Sequence, residues 1–245
     1  MRRVIAFGFI VALGAGLSAC GSSSARPTSP KAWRNAIVAA ALAQRSFHWT
    51  YSDFFDLIGP AKRVGDVTAD YGVEWETLPG GQTVQLRLVD HTLYVRGGNV
   101  AIDYLNLTPR HAPPSRIYLL GSSKPAREYA GQWISIPGSD KLYAHLAVDL
   151  TPASILHDAS PAGKLKLDGR PSPGQRLLGL TGTNASWGEP GSSELKARAT
   201  GTPLPVSFAW GAMTDFTRYR FSKWNESVNV QAPERAVPIA IVRKA

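Results

Sequence analysis

Few residues of this chain have the types and spacing for chemistry. Five histidines stand at positions 48, 91, 111, 145 and 157. No two have the i, i+4 spacing that presents a ligand pair on one helix face, so no metal site is expected. His157, Asp158 and Ser160 are the residue types of a nucleophilic triad. Near-neighbours in one short stretch cannot take up the base-to-nucleophile geometry, and no G-x-S-x-G elbow occurs elsewhere. The glycine clusters match neither G-x-G-x-x-G nor the phosphate-cradling Walker pattern, so no nucleotide and no cofactor is expected. Glu74 and Glu76 share one strand face, which permits a carboxylate pair. The residues between and beside them are apolar, so both glutamates are expected in solvent. No enzymatic activity is expected.

The remaining reactive group is the single thiol, Cys20. Leu17-Ser18-Ala19 precedes it, and Leu-Ser-Ala-Cys resembles a bacterial lipobox. In that chemistry the thiol accepts a diacylglycerol, the chain is cut before the cysteine, and the new α-amino group can be acylated. Each buried methylene contributes about 0.8 kcal/mol, and two chains anchor stably where one is marginal. Upstream, Arg2 and Arg3 precede an uncharged run from Val4 to Leu17. That run has the length of a signal h-region and falls short of the ~20 residues that span a bilayer. The expected organisation is a signal over 1–19, a lipidated tether over 20–30, a folded domain over 31–235 and a tail over 236–245. Loss of residues 1–19 leaves 226 residues and lowers the formal charge from +9 to +7, because two arginines and no acids are removed. The expected location is the outer face of the cytoplasmic membrane, anchored without crossing it. Nucleic acid is not an expected partner of an exported chain. Anionic headgroups attract Lys and Arg within about a Debye length; an ordinary solvated surface accounts for the same excess.

The positioning elements follow from periodicity. Residues 21–30, GSSSARPTSP, form a tether that reaches about 30 Å at full stretch. Ser29 caps a helix with Pro30 in its first turn; Trp33, Ile37, Ala40, Ala41 and Gln44 make its stripe, and Leu42 falls off it. The period then becomes two. Phe47, Trp49 and Tyr51 alternate with polar residues, and Val67, Ala69, Tyr71, Val73 and Trp75 read as one long strand. Turns at Pro79-Gly80-Gly81 and Asp90-His91 join further strands, implying an antiparallel meander. Residues 97–131 are a long excursion with a short helix near Ala126–Tyr129. Asp140–Leu150 reads as a helix, and Thr151-Pro152 opens a second. Strand patterns resume around Leu165, Arg176–Gly182, Leu195, Phe208 and Tyr219, and a short alternating run covers Ser227–Gln231. The fold class is α+β: a curved antiparallel sheet of about ten strands with helices on its concave side.

The order of these pieces resembles a known family. A lipobox, a Ser-rich tether and a helix precede VGDVTADYGVEW, VDHTLYVRGG, REYAGQWISIPG and a closing FSKWNESVNVQAPE. This series resembles the LppX/LprAFG-type lipoproteins of actinobacteria and, more distantly, the LolA/LolB carriers, over most of Lys31 to Pro233. The resemblance implies a half-barrel in which acyl chains of lipids, glycolipids or lipoproteins lie between sheet and helices. Candidate chamber residues are Tyr71, Val73, Trp75, Leu86, Leu88, Leu93, Val95, Leu142, Leu146, Phe208, Trp210, Tyr219 and Phe221. Periodicity does not separate a packed core from a lined cavity. The expected function is binding or transfer of a lipid or glycolipid. The alternative is an envelope sensor or scaffold that binds a protein partner or transporter. Extensions at 54–62 and 98–131 depart from the family pattern and bear on the size of any mouth.

Overall fold

The computed structural model describes residues 27–55, 59–78, 81–107, 122–168, 176–183, 192–212 and 215–245. The signal, Cys20 and most of the tether lie outside them. Helix α1 (Pro30–Leu42) begins as its sequence dictates: Ser29 Oγ accepts from Ala32 N at 3.2 Å, and Pro30 occupies the first turn. It buries Trp33, Ile37 and Ala41.

Five strands follow in a meander: β1 (Ser46–Phe55), β2 (Gly59–Thr68), β3 (Gly72–Thr77), β4 (Thr83–Val89) and β5 (Thr92–Gly97). Asp90 and His91, at φ 48° and 58°, make the tight β4–β5 turn whose left-handed residues match strand twist. Next come α2 (Asn99–Tyr104), α3 (Lys124–Tyr129) and β6 (Ile134–Pro137). Buried Asp103 ties the two arms of this excursion, accepting from Ser123 N and Ser123 Oγ, each at 2.7 Å. Helix α4 (Tyr143–Leu146), a 3₁₀ turn (Val148–Leu150) and α5 (Pro152–Asp158) form a cover. Strands β7 (Ala162–Asp168), β8 (Leu177–Thr183), β9 (Ser192–Arg198), β10 (Pro205–Ala212) and β11 (Asp215–Ser222) make a second meander. Strand β12 (Val237–Pro238) and α6 (Ile239–Val242) end the fold.

The described residues form one open, curved sheet of twelve strands, ordered β12-β6-β5-β4-β3-β2-β1-β11-β10-β9-β8-β7. Pairing of β1 with β11, from His48 opposite Ser222 to Phe54 opposite Phe216, fuses the meanders. Every pair is antiparallel except β12 with β6, so the sheet is mixed rather than wholly antiparallel.

Four expectations change. The run Val67–Trp75 is two strands, because Thr68 Oγ1 accepts from Asp70 N and Tyr71 N (3.3 and 3.0 Å) and Thr68 N bonds Tyr71 O at 2.8 Å. The Asp140–Leu150 helix keeps only its 143–146 turn. Asp149 is drawn to Arg63, and the Leu150 backbone lies on Gly72, where a Cβ would meet Leu150 O at 2.4 Å. Ser227–Gln231 is not a strand; residues 223–236 form a strap toward β6. The expected tail instead finishes the sheet edge, with Ile239 and Val242 buried.

Candidate functional site

The helix-covered face carries two apolar clusters. The first joins α1 and α5 to β1, β2 and β8–β11 through Phe47, Trp49, Phe208, Trp210, Tyr219 and Phe221, all 5% exposed or less. Phe47 meets Phe221 edge-on at 5.8 Å, and Tyr51 meets Tyr219 at 4.9 Å, geometries that suit ring quadrupoles. The second joins β4–β6 to α2, α3 and α6, with Leu86, Leu88, Leu93 and Val95 buried and Leu142 and Leu146 packed at its margin. Trp49 reaches across β2 because Gly65 has no Cβ: one would stand 2.8 Å from its Nε1.

Between the clusters lies a buried charged strip. Arg63 Nε donates to Glu76 Oε1 at 3.1 Å and stands 3.8 Å from Glu74 Oε1. Arg63 Nη1 donates to Asp149 Oδ2, and the guanidinium lies 5.0 Å over the Tyr51 ring. Tyr51 Oη donates to Asp53 Oδ2 at 2.7 Å, and Asp53 Oδ1 accepts from Ala61 N at 2.9 Å. Burial pushes the Glu74 carboxyl up to about 8; the Asp149 and Glu76 charges add to this and Arg63 opposes it. Burial alone would lower the Arg63 pKa, but its three carboxylate neighbours hold it well above the ordinary value. Burial likewise raises the Tyr51 and Tyr219 phenols. One cation thus faces three carboxyl groups, of which Glu74 keeps its proton at neutral pH. The strip ties the cover, through Asp149, to the floor of the sheet.

The candidate chamber residues therefore divide. Leu86, Leu88, Leu93, Val95, Phe208, Trp210, Tyr219 and Phe221 face the helices. Tyr71 is 37% exposed and Trp75 is 45% exposed on the opposite side, and Val73 lies there too. The turn at 69–71 sets Val67 opposite Gly72 and Gly65 opposite Glu74, so Glu74 and Glu76, expected in solvent, point inward. Arg63, Asp149 and this inversion had no signal in the local pattern.

A cleft that opens to solvent on this side lies between α1 and α5. Its volume is about 550 Å³, within the roughly 300–1,000 Å³ range of small-molecule sites. Val38, Ala39, Leu42, Ala153, Leu156, Pro161 and Ala162 supply apolar surface, and Arg34, Asn35, His157 and Ser160 supply polar groups. Leu42, 47% exposed, is the residue that fell off the α1 stripe, the one sequence sign of this cleft. Among the described residues no group of three or more His, Cys, Asp and Glu can hold a metal ion. No helix of the described residues is long and apolar enough to cross a membrane.

Solved structures resemble this open sheet with its cover of helices. The chain is similar to the lipoprotein LppX of Mycobacterium tuberculosis, at 15% identity and TM-score 0.49 over 82% of this chain and 98% of that one. It is similar to LprF from Mycobacterium bovis, at 11% identity and TM-score 0.48 over 83% and 96%. A LolA superfamily protein from Nitrosomonas europaea matches at 11% identity and TM-score 0.28 over 82% and 95%. No protein-family model and no curated protein matches the sequence.

Proposed function

We propose that the protein is a cell-envelope lipoprotein that binds or transfers a lipid or glycolipid by one acyl chain, held in the α1–α5 cleft. Acylation of Cys20 tethers it to the outer face of the cytoplasmic membrane. The observation that carries this reading is the cleft itself, with an apolar wall of Val38, Ala39, Leu42 and Leu156 beside polar Arg34, Asn35, His157 and Ser160. An acyl chain on the wall leaves water at about 25 cal/mol per Å² of apolar surface, and the polar groups take its head. Aromatic side chains and the Arg63 strip pack beneath the helices among the described residues, and the cleft is the opening that supports this reading.

Native mass spectrometry of protein from its own envelope tests the cargo. Bound lipid is expected, and Ala39→Trp, which fills the cleft, is expected to remove it. Protein that is lipid-free in every preparation, or cargo that survives Ala39→Trp, refutes the assignment. The anchor is tested separately. Cys20→Ser is expected to lose labelling by a fatty-acid probe; a variant that still labels refutes the anchor.

A further inference from the structure

The face of the sheet without helices is only half covered. The strap leaves β11 beside the start of β1, where Asn225 N donates to Ser46 O at 2.9 Å and Asn225 Oδ1 accepts from Arg45 N at 2.8 Å. On its way to β6, Gln231 O accepts from Arg87 Nη1 at 3.2 Å. Asn229, Val230 and Gln231 lie over Val73, Gln85 and Arg87. Beside the strap, a depression of about 470 Å³ remains open on β11, β1, β2 and β3. Lys62, Arg218, Arg220 and Trp75 border it, with Thr50 and Ser52 between them. Ser52 is opposite both Arg218 and Lys62, and Thr50 is opposite Arg220. With strands ~4.8 Å apart, the three cations have Cα atoms within roughly 12 Å of one another.

The charge here is unmatched. Nearby acids on this face already have partners: Asp66 with His48 at 2.9 Å, and Glu194 with Lys196 at 3.2 Å. Lys62, Arg218 and Arg220 are exposed and have no acidic partner among the described residues. Like charges this close repel until an anion approaches. Trp75 supplies the amphipathic ring favoured at a boundary between water and lipid.

We propose that this bare half of the outer face docks onto an anionic phospholipid bilayer. Lys62, Arg218 and Arg220 meet headgroup phosphates, and Trp75 enters the interface. The surface is shallow, its strand backbone is already hydrogen-bonded, and Thr and Ser fill the space between the cations. A planar charged sheet fits it, whereas exposed Trp75 and Phe216 lie three strands apart and make no continuous apolar centre of the kind a protein interface uses. Docked this way, the α1–α5 cleft on the opposite side of the sheet faces away from the bilayer.

The full chain carrying Cys20→Ser has no other cysteine, so Ser52→Cys or Ala153→Cys accepts one environment-sensitive fluorophore. The label reads docking of a chosen face, which pelleting does not, since the apolar residues 4–17 partition into lipid by themselves. On vesicles of phosphatidylglycerol in phosphatidylcholine at low salt, the Ser52→Cys label is expected to shift to the blue and the Ala153→Cys label to stay unchanged. At about a factor of five per surface cation, Lys62→Ala/Arg218→Ala/Arg220→Ala is expected to weaken docking about 125-fold with an unchanged melting temperature. Trp75→Ala, a second and independent variant, is expected to weaken it without altering its salt dependence. Equal shifts at both labels, docking that survives the triple substitution, or equal docking on pure phosphatidylcholine would overturn the proposal. So would a polyglutamate chain that shifts the Ser52→Cys label where vesicles do not. Ala39→Trp leaves this signal unchanged, so the docking surface and the acyl cleft stand or fall separately.

Discussion

Strands β2 and β3 carry charge on both faces, and the two faces treat it oppositely. Inward, Arg63 is surrounded by Glu76, Glu74 and Asp149, and one carboxyl gives up its charge. Outward, one residue away, Lys62 stands exposed with Arg218 and Arg220 and has no acidic partner among the described residues. Water accounts for the difference. A solvated cation needs no partner, while a buried one costs several kcal/mol unless carboxylates surround it. A buried cluster is therefore an internal tie, and an exposed unmatched one is free to meet something outside.

The comparison is broken most severely by Arg63→Met, which leaves Glu74, Glu76 and Asp149 buried without their cation. A loss of about 3–5 kcal/mol in urea unfolding is expected. The pH dependence comes next. The folded Glu74 carboxyl titrates near 8 against an ordinary 4.5, so the folded state holds the extra proton. Stability contributed by that proton is present below about 4.5 and is lost as pH rises through about 8. Melting temperature should fall across that window, and Glu74→Gln should flatten the fall. Gly72→Ala separates packing from charge: its Cβ would strike Leu150 O at 2.4 Å, at a cost of about 1–3 kcal/mol read by thermal unfolding. The smallest effect sharpens the contrast. The triple alanine variant of Lys62, Arg218 and Arg220 should change folding stability by less than about 0.5 kcal/mol per site.

Much of the fold was legible in the residues. Alternation at Phe47-Trp49-Tyr51, Val84-Leu86-Leu88 and Phe208-Trp210 marks strands with one buried side, and each is buried as read. Ser29 and Thr151 cap α1 and α5 as their types predict. Two of the misreadings share one cause. Alternation continued across the 69–71 turn by coincidence of residue type, so Trp75 was given the face that Glu74 and Glu76 occupy. The strap was read as strand because Ser227–Gln231 alternates, yet β3 and β4, which it crosses, are already paired on both sides among the described residues. In the candidate site, Val38, Ala39 and Leu42 were visible only as an unusually wide apolar side of α1. Their partners on α5 lie more than a hundred residues away.

The sequence by itself determined most of the strand segments, where the capped helices begin, and that Asp90-His91 turns the chain. Those outcomes depend on side-chain period, capping hydroxyls and left-handed backbone, all set within a few residues. Only the tertiary structure decided which side of β3 looks inward, what completes the sheet edge, and which charges are buried. Arg63 and Asp149 are 86 positions apart, and their attraction exists only once the sheet has bent beneath its cover.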